Sequence, residues 1–480
     1  MQSRQPSDPQ QVYQVRNPRT GLFDYTFPLP SPSEVEARCG SLRAGQPAWS
    51  RMPVEERVAA LQAWREAMQT RRQRIVDAVC TDTGRHWESE LETDLALASI
   101  DRWCRIALEA LRPQGPKPSS IPFLSLEQQL VPYPLVAVIS PWNFPLLLGL
   151  IDTIPALLAG CAVLVKPSEV TPRFIESVQA AVDAVPILAS VLRFIPGDGG
   201  VGAGMVRHSD MVCFTGSTAT GRKVYAAAAE RMIPAFLEMG GKDPAIVLEG
   251  ADPERTAAAV LWGATANAGQ SCLSIERIYV HVSLFDAFTS ILAEKAARLP
   301  LAYPGPRDGR VGPIIFDRQA DIIDAHLTDA ITRGARILTG STFCENLGGG
   351  RYCRPTVLVD VDHSMRVMTE ETFGPLMPVM SFQTEEEAMA LANGTDYGLS
   401  AAVFGPTQES ARSFASRLEA GAVSINDTAL TAVMHEGEKN AFRLSGIGGT
   451  RMGPSALRRF MRQRVLIAKE DDARSPWWPI

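Results

Sequence analysis

Apolar positions along this chain fall into three successive patterns. From Pro53 they follow helical spacing, with Val58, Leu61, Trp64 and Met68 on one face. A second helical stretch runs from Glu88 to about Leu111 and ends at Pro113. The first 30 residues are rich in Pro, Gln and Ser and are expected to form an extended arm. After a Pro/Gly/Ser-rich segment (113–122), short apolar runs alternate with helical ones. Strands are predicted at 135–139, 162–165, 192–195, 211–214 and 245–248, with helices between them at 146–158, 171–184, 199–206 and 220–231. This alternation predicts a parallel, doubly wound sheet. A further series runs from about Pro253 to Ser424, with strands at 277–282, 336–339, 357–359, 377–382, 401–404 and 422–425. Helices near 284–298, 317–333, 384–393 and 407–420 separate these strands. Two α/β domains in one chain place a site in the crevice between them.

The apolar stretch 145–165 is interrupted by Asp152, Pro155 and Gly160. A buried helix that stops at Gly160, followed by a buried strand, fits it better than a membrane span. The chain has 480 residues, 45% hydrophobic and 21% charged, with a net charge of −6, so it lacks the basic face of a nucleic-acid binder. None of its eight cysteines forms a C-x-x-C pair, so neither a zinc site nor a disulfide framework is expected, and no metal site is predicted. Free thiols and the lack of an apolar leader in residues 1–17 predict a cytoplasmic protein.

The chemistry lies in short motifs. Cys272, in the run Gly269-Gln270-Ser271-Cys272-Leu273-Ser274, follows Leu237-Glu238-Met239-Gly240-Gly241-Lys242 by about thirty positions. A thiol that adds to a carbonyl and a carboxylate that later activates water are what covalent aldehyde oxidation requires. A single cysteine is more often a small buried hydrophobe. Met211 to Ser217 reads as a strand and Gly-Ser turn before a helix, an anion site suited to a pyrophosphate or equally an ordinary βα turn. In Lys166-Pro167-Ser168-Glu169, Lys166 can donate to ribose hydroxyls and Glu169 can accept from them, although Lys-Pro is also common turn chemistry. In Pro141-Trp142-Asn143-Phe144-Pro145, Asn143 either supplies an oxyanion donor or caps the next helix. In Glu370-Glu371-Thr372-Phe373-Gly374-Pro375, Glu371 is a second ribose acceptor or a solvated loop acid.

Taken in order, these motifs resemble the NAD(P)-dependent aldehyde dehydrogenase superfamily, from Asn17-Pro18 to about Ile467. The resemblance implies two doubly wound α/β domains, one for the cofactor and one for catalysis, plus a small β oligomerisation element. The implied cofactor-binding domain covers 1–118 and 136–238, and the catalytic domain covers 239–430. The oligomerisation element covers 119–135 and 455–480, and 431–454 returns to the cofactor domain and the substrate entrance. By resemblance, Cys272 is the nucleophile and Glu238 the general base. Asn143, with the backbone N–H of Cys272, forms the oxyanion hole. Lys166, Ser168 and Glu169 would hold the adenosine ribose. Trp142, Thr215, Gly216 and Ser217 would hold the pyrophosphate, and Glu371 and Phe373 the nicotinamide ribose. Phe144, Leu148, Ile151, Ser271 and Leu273 would line the substrate tunnel.

NAD is the expected cofactor, because Glu169 would repel a 2′-phosphate, and Lys166 leaves NADP possible. The expected partners are a small aldehyde, uncharged and aliphatic or aromatic, and further copies of the chain in a dimer or tetramer. The strand at 464–468 is expected to pair with a neighbouring chain. No nucleic-acid or membrane partner is expected. The alternatives are a semialdehyde dehydrogenase, a CoA-acylating relative and a non-catalytic descendant of the fold. The Pro-Phe-Gly-Gly turn usual in the family is replaced here by Asn440-Ala441-Phe442-Arg443-Leu444 before Ser445-Gly446. Within this atypical segment His435, Lys439 and Arg443 are candidates for recruiting an acidic aldehyde.

Overall fold

The computed structural model describes residues 11–112, 115–121 and 123–470. Pro113, expected to end a helix, and Pro122 lie outside these residues, as do the outer part of the expected arm (1–10) and the end of the chain (471–480).

A six-stranded sheet forms the first half of the molecule. Its spatial order is Gly446–Ile447, Ala235–Glu238, Met211–Thr215, Leu135–Ile139, Ala162–Lys166 and Leu192–Phe194. All neighbours are parallel except Gly446–Ile447, which runs antiparallel to Leu237 and Glu238. The central strands are buried along their whole length, as expected for a sheet with helices on both faces. The chain enters at Leu135–Ile139, builds outward one way through Ala162–Lys166, then returns to build the other way from Met211–Thr215. The switch point therefore lies between the ends of Leu135–Ile139 and Met211–Thr215, where open α/β sheets bind ligands. Asn143 follows one of these strands, and Gly216 and Ser217 follow the other.

Helices Pro32–Arg51, Val54–Thr70, Arg72–Thr83 and Trp87–Ala110 pack against this sheet and its own helices. Leu61, Trp64 and Met68 form the buried face their spacing predicts, joined by Trp49 and Trp103. Trp49 is fixed in direction as well, since its indole N–H donates to Leu157 O at 2.8 Å.

The second sheet has seven strands in the order Arg336–Thr339, Thr356–Val359, Leu376–Phe382, Ile275–His281, Asp243–Val247, Ser400–Phe404 and Ala422–Ile425. Only Arg336–Thr339 is antiparallel to its neighbour. A three-stranded sheet joins Lys117–Pro118, Leu124–Pro132 and Met461–Lys469.

Four sequence expectations change. Residues 12–28 of the expected extended arm form an antiparallel hairpin, Val12–Arg16 with Phe23–Pro28. Gly21 in its turn has φ +72° and lies against Gly349 O, where a Cβ would come within 2.5 Å. The helix expected at 146–158 is two helices, Pro145–Leu150 and Thr153–Ala159. Pro155 has no N–H to give Ile151 O, and its ring would crowd that carbonyl, so the chain breaks at Ile151 and Asp152. The helix expected at 407–420 stops at Ala415, where the Ser416 hydroxyl turns back to Ser413 O. The strand expected at 464–468 is longer, Met461–Lys469, and pairs with Leu124–Pro132 of its own chain over nine positions. Gly160 does stop its helix, with φ +99°. No helix among the described residues is long and apolar enough to cross a membrane.

Candidate active site

The loop that carries Cys272 is bent by three successive left-handed residues, Asn267 (φ 54°), Ala268 (φ 54°) and Gly269 (φ 72°). Such conformations cost non-glycine residues about 1 kcal/mol or more each and need outside support. Gln270 supplies it: its amide donates to Asn267 O (3.0 Å) and Pro313 O (3.2 Å), and its carbonyl oxygen accepts from Ile315 N (2.8 Å). Asn143 is buried and donates from Nδ2 to the backbone oxygen of Gln270 at 3.1 Å. A side-chain amide has two N–H donors, so one remains for a ligand beside Cys272.

The turn before Asn143 is braced from the N-terminal helices. Arg85 donates to Asn143 O at 2.6 Å and pairs with Glu92 at 2.8 Å. Glu92 in turn accepts from Leu146 N and Leu147 N, putting a negative charge at the start of the Pro145–Leu150 helix.

Cys272 is half-buried, and its thiol is pushed up to about 12. Burial is the largest cause, followed by the charge of Glu238; Asp243 and Glu371 add to it and Lys439 opposes it. Glu238, from the first sheet, is therefore within electrostatic reach of a loop that leads into the second. The backbone of Gly241 lies against Cys272 O, where a Cβ would come within 2.8 Å.

Glu238 itself is ion-paired. Arg451 Nη1 lies 2.6 Å from its carboxylate and Lys439 Nζ lies 3.5 Å away. Burial alone would raise its pKa, but Arg451 and Lys439 outweigh burial and hold the carboxyl down at about 2. Arg451 also reaches Asp152 at 2.8 Å, and Asp152 pairs with Arg459. The sequence reading missed Arg451, Asp152 and Arg459 as a network. The available signal was Asp152, a lone acid in an apolar stretch, which when buried requires a cation.

Glu371, whose charge also acts on Cys272, accepts from Gly241 N at 3.1 Å and crowds Gly240, where a Cβ would sit 2.3 Å from its carboxylate. Burial raises its pKa to about 8. The next residues are fixed by Glu276, which accepts from Thr372 N and Phe373 N, both at 2.7 Å. Lys242, fully buried, pairs with Glu276 at 2.6 Å and donates to Thr372 Oγ1 at 3.0 Å. Phe373, held at φ 52°, packs edge-on against Trp142 with ring centroids 5.3 Å apart.

Several residues expected to meet a dinucleotide follow neighbouring strands of the first sheet: Trp142 after Leu135–Ile139, Lys166 to Glu169 at the end of Ala162–Lys166, and Thr215 to Ser217 at the end of Met211–Thr215. Lys166 is buried and donates to Gly197 O (2.8 Å) and Pro167 O (3.2 Å), with Glu169 at 3.3 Å. Burial lowers its pKa, and Glu169 opposes that. The Ser168 hydroxyl accepts from Val170 N at 3.3 Å. Thr215 ends its strand, Gly216 turns, and Ser217 caps the 13-residue helix Thr218–Glu230 by accepting from Thr220 N. A helix N-terminus of this length suits a diphosphate. The cation at Lys166, the carboxylate at Glu169 and the glycine backbone under Glu371 suit two riboses.

Phe144, Leu148, Ile151, Ser271 and Leu273 are all half-buried. Arg443 does not point to this region, contrary to expectation. It pairs with Glu419 and donates to the backbone oxygens of Asn393 and Thr395, because the positive φ at Arg443 (51°) turns the chain there. Lys439 is the cation of the atypical segment that reaches Glu238.

This crevice defines a class before it defines a substrate. The sequence matches the aldehyde dehydrogenase family over residues 4–466, and the chain belongs to that family. It is accordingly an NAD(P)-dependent oxidoreductase acting on aldehydes. A similar solved structure is PutA of Anabaena variabilis, assigned as an aldehyde dehydrogenase: 55% identical, TM-score 0.96, with 98% of this chain and all of that one covered. Betaine aldehyde dehydrogenase of Staphylococcus aureus, solved with NAD+, is 28% identical with a TM-score of 0.90, over 98% of this chain and 94% of that one. The 4,4'-diapolycopene aldehyde oxidase of Methylomonas sp is 36% identical over 88% of this chain and 79% of its own. A Mycobacterium tuberculosis protein assigned as an NADP-dependent succinate-semialdehyde dehydrogenase is 31% identical over 93% and 86%.

The buried pair Lys242–Glu276 carries a prediction. Lys242→Met removes the cation and leaves Glu276 charged in the interior, which costs about 3–5 kcal/mol. A lowered unfolding midpoint in urea is expected, and an unchanged midpoint would show that the pair does not hold the Thr372–Phe373 segment.

Proposed function

We propose that Cys272 is the nucleophile, Glu238 the base and Asn143 an oxyanion donor in the oxidation of an uncharged aliphatic or aromatic aldehyde to its acid. The observation that carries this reading is the convergence of the three on one crevice: Asn143 bonded to Gln270 O, two residues before Cys272, and Glu238 close enough for its charge to raise the thiol.

At neutral pH Cys272 is a thiol, so its addition to the carbonyl carbon must be accompanied by loss of the proton. That proton passes to solvent water, and Glu238 acts only in the later hydrolysis. The carbonyl oxygen becomes an alkoxide held by the free N–H of Asn143 and the backbone N–H of Cys272. The oxidised nicotinamide, when bound, supplies the hydride acceptor. What remains on the protein is a thioester at Cys272. Glu238 then takes a proton from water, the hydroxyl oxygen forms the new bond to the acyl carbon, and the Cys272 sulfur leaves as the acid is released. A retained base argues against transfer of the acyl group to CoA. Lys166, Ser168 and Glu169 are assigned to the adenosine ribose, Trp142, Thr215, Gly216 and Ser217 to the pyrophosphate, and Glu371 and Phe373 to the nicotinamide ribose.

We assign the domains as expected from the sequence, and homo-oligomers through the three-stranded sheet. Support for this is the exposed apolar run Val465, Leu466 and Ile467 on Met461–Lys469, a strand at the edge of its sheet.

The apolar substrate class is supported by the half-buried Phe144, Leu148 and Ile151, and by a relative named for 4,4'-diapolycopene aldehyde. A second reading, an acidic semialdehyde, is favoured by Lys439 and by the mycobacterial relative's name. Against it, Lys439 is occupied by Glu238.

Three outcomes test these assignments. Glu238→Gln should give a burst of reduced nicotinamide equal to the active sites and then a steady rate slower by roughly 10²–10⁴-fold, seen by stopped flow; uniform slowing without a burst would point to another base. Initial rates should show a higher kcat/KM with NAD than with NADP, because Glu169 repels a 2′-phosphate, and the reverse order would refute that role. Hexanal or benzaldehyde should exceed succinate semialdehyde in kcat/KM; a semialdehyde optimum would transfer specificity to Lys439.

A further inference from the structure

Glu238 does not stand free beside the thiol. Its carboxylate meets Arg451 Nη1 at 2.6 Å, and the arginine is itself held in place. Arg451 Nη2 reaches Asp152 at 2.8 Å and Phe214 O at 3.2 Å, and its side chain is only 5% exposed. Asp152 is buried and also bound by Arg459, whose guanidinium packs over the rings of Phe236 and Phe460. The chain Glu238–Arg451–Asp152–Arg459 thus links the base, through alternating charges, to the start of the Thr153–Ala159 helix. The groups that face Glu238 are Arg451 and Lys439 from the C-terminal segment and Cys272 from the nucleophile loop. A carboxylate in a close, desolvated ion pair gives up much of its proton affinity, and base strength falls with it.

We propose that Arg451 is a positioning residue for the base: it holds the Glu238 carboxylate in a resting ion pair anchored at Asp152, and this pair opens before Glu238 takes a proton from the water that attacks the thioester. The proposal rests on the reading of Glu238 as the base. The paired carboxyl titrates near 2, so the resting enzyme keeps Glu238 charged through the whole acidic range. With the arginine removed, burial of Glu238 is opposed only by Lys439. Its proton affinity then rises, and an acid limb enters the range where the enzyme is assayed.

The test follows hydrolysis of the Cys272 thioester, formed in a single turnover with benzaldehyde and NAD, by rapid quench after jumps to about pH 3 to 9. In Arg451→Gln the acid limb of the hydrolysis rate should move up by about 1–3 pH units, while hydride transfer in the first turnover keeps its wild-type pH dependence. Arg451→Lys should restore the wild-type limb, because it returns a cation. Asp152→Asn, which keeps the cation and frees its other end, should leave the limb at or below its wild-type position. In a Glu238→Gln background, Arg451→Gln should move nothing further. A limb in Arg451→Gln that superimposes on wild type overturns the proposal, as does an upward shift in Asp152→Asn. Full steady-state turnover by Glu238→Gln would instead remove the base assignment itself.

Discussion

Three carboxylates, from Glu238, Asp243 and Glu371, raise the Cys272 thiol, and the way each is stabilised shapes the crevice. Burying a carboxylate demands a cation, hydrogen-bond donors or a proton. Glu238 has cations in Arg451 and Lys439 and stays ionised. Asp243 has the hydroxyl and N–H of Ser400, and burial still raises it to about 7. Glu371 has the N–H of Gly241, and burial raises it to about 8. Glu238 is therefore the one of the three held most firmly in its charged form at neutral pH, and it is the carboxylate that raises the thiol most. Burial holds the other two acids toward their protonated forms.

The scaffold meets this constraint with parts from distant sequence. Arg451 and Lys439 come from the C-terminal segment, whose short strand Gly446–Ile447 joins the edge of the first sheet beside Glu238. That pairing delivers the cations to the carboxylate. Asp152 faces Arg451 because Pro155 breaks the preceding helix, leaving Asp152 at the start of the next one. The same break leaves Ile151 half-buried next to it. Ile151, proposed to face the substrate, and the charge network thus share one local feature of the backbone.

Much of this was legible in the sequence. Local apolar runs marked the parallel strands, since strands buried on both faces have little polar content. Asn143 stood out because it follows a predicted strand, where a doubly wound sheet places its chemistry, whereas Cys272 and Glu238 stood out only through the chemistry of their motifs, and the strand Ala235–Glu238 was not predicted. Arg451, Lys242 and Arg85 did not stand out, because an arginine or lysine reads as solvated surface until the fold brings an acid to it. The hairpin at 12–28 was hidden by its Pro- and Gln-rich surroundings, and it rests against Gly349, far along the chain. The pairing of Met461–Lys469 with Leu124–Pro132 is also non-local, so strand propensity could suggest the element but not its partner.

The central claim is that one thiol of eight carries the substrate as a covalent acyl group. The direct measurement is acid quench of the enzyme during turnover of benzaldehyde with NAD, followed by digestion and mass spectrometry of every cysteine peptide. A benzoyl adduct confined to the Cys272 peptide is the predicted result. Acid produced with no adduct on Cys272, or with the adduct on another cysteine, would contradict the account.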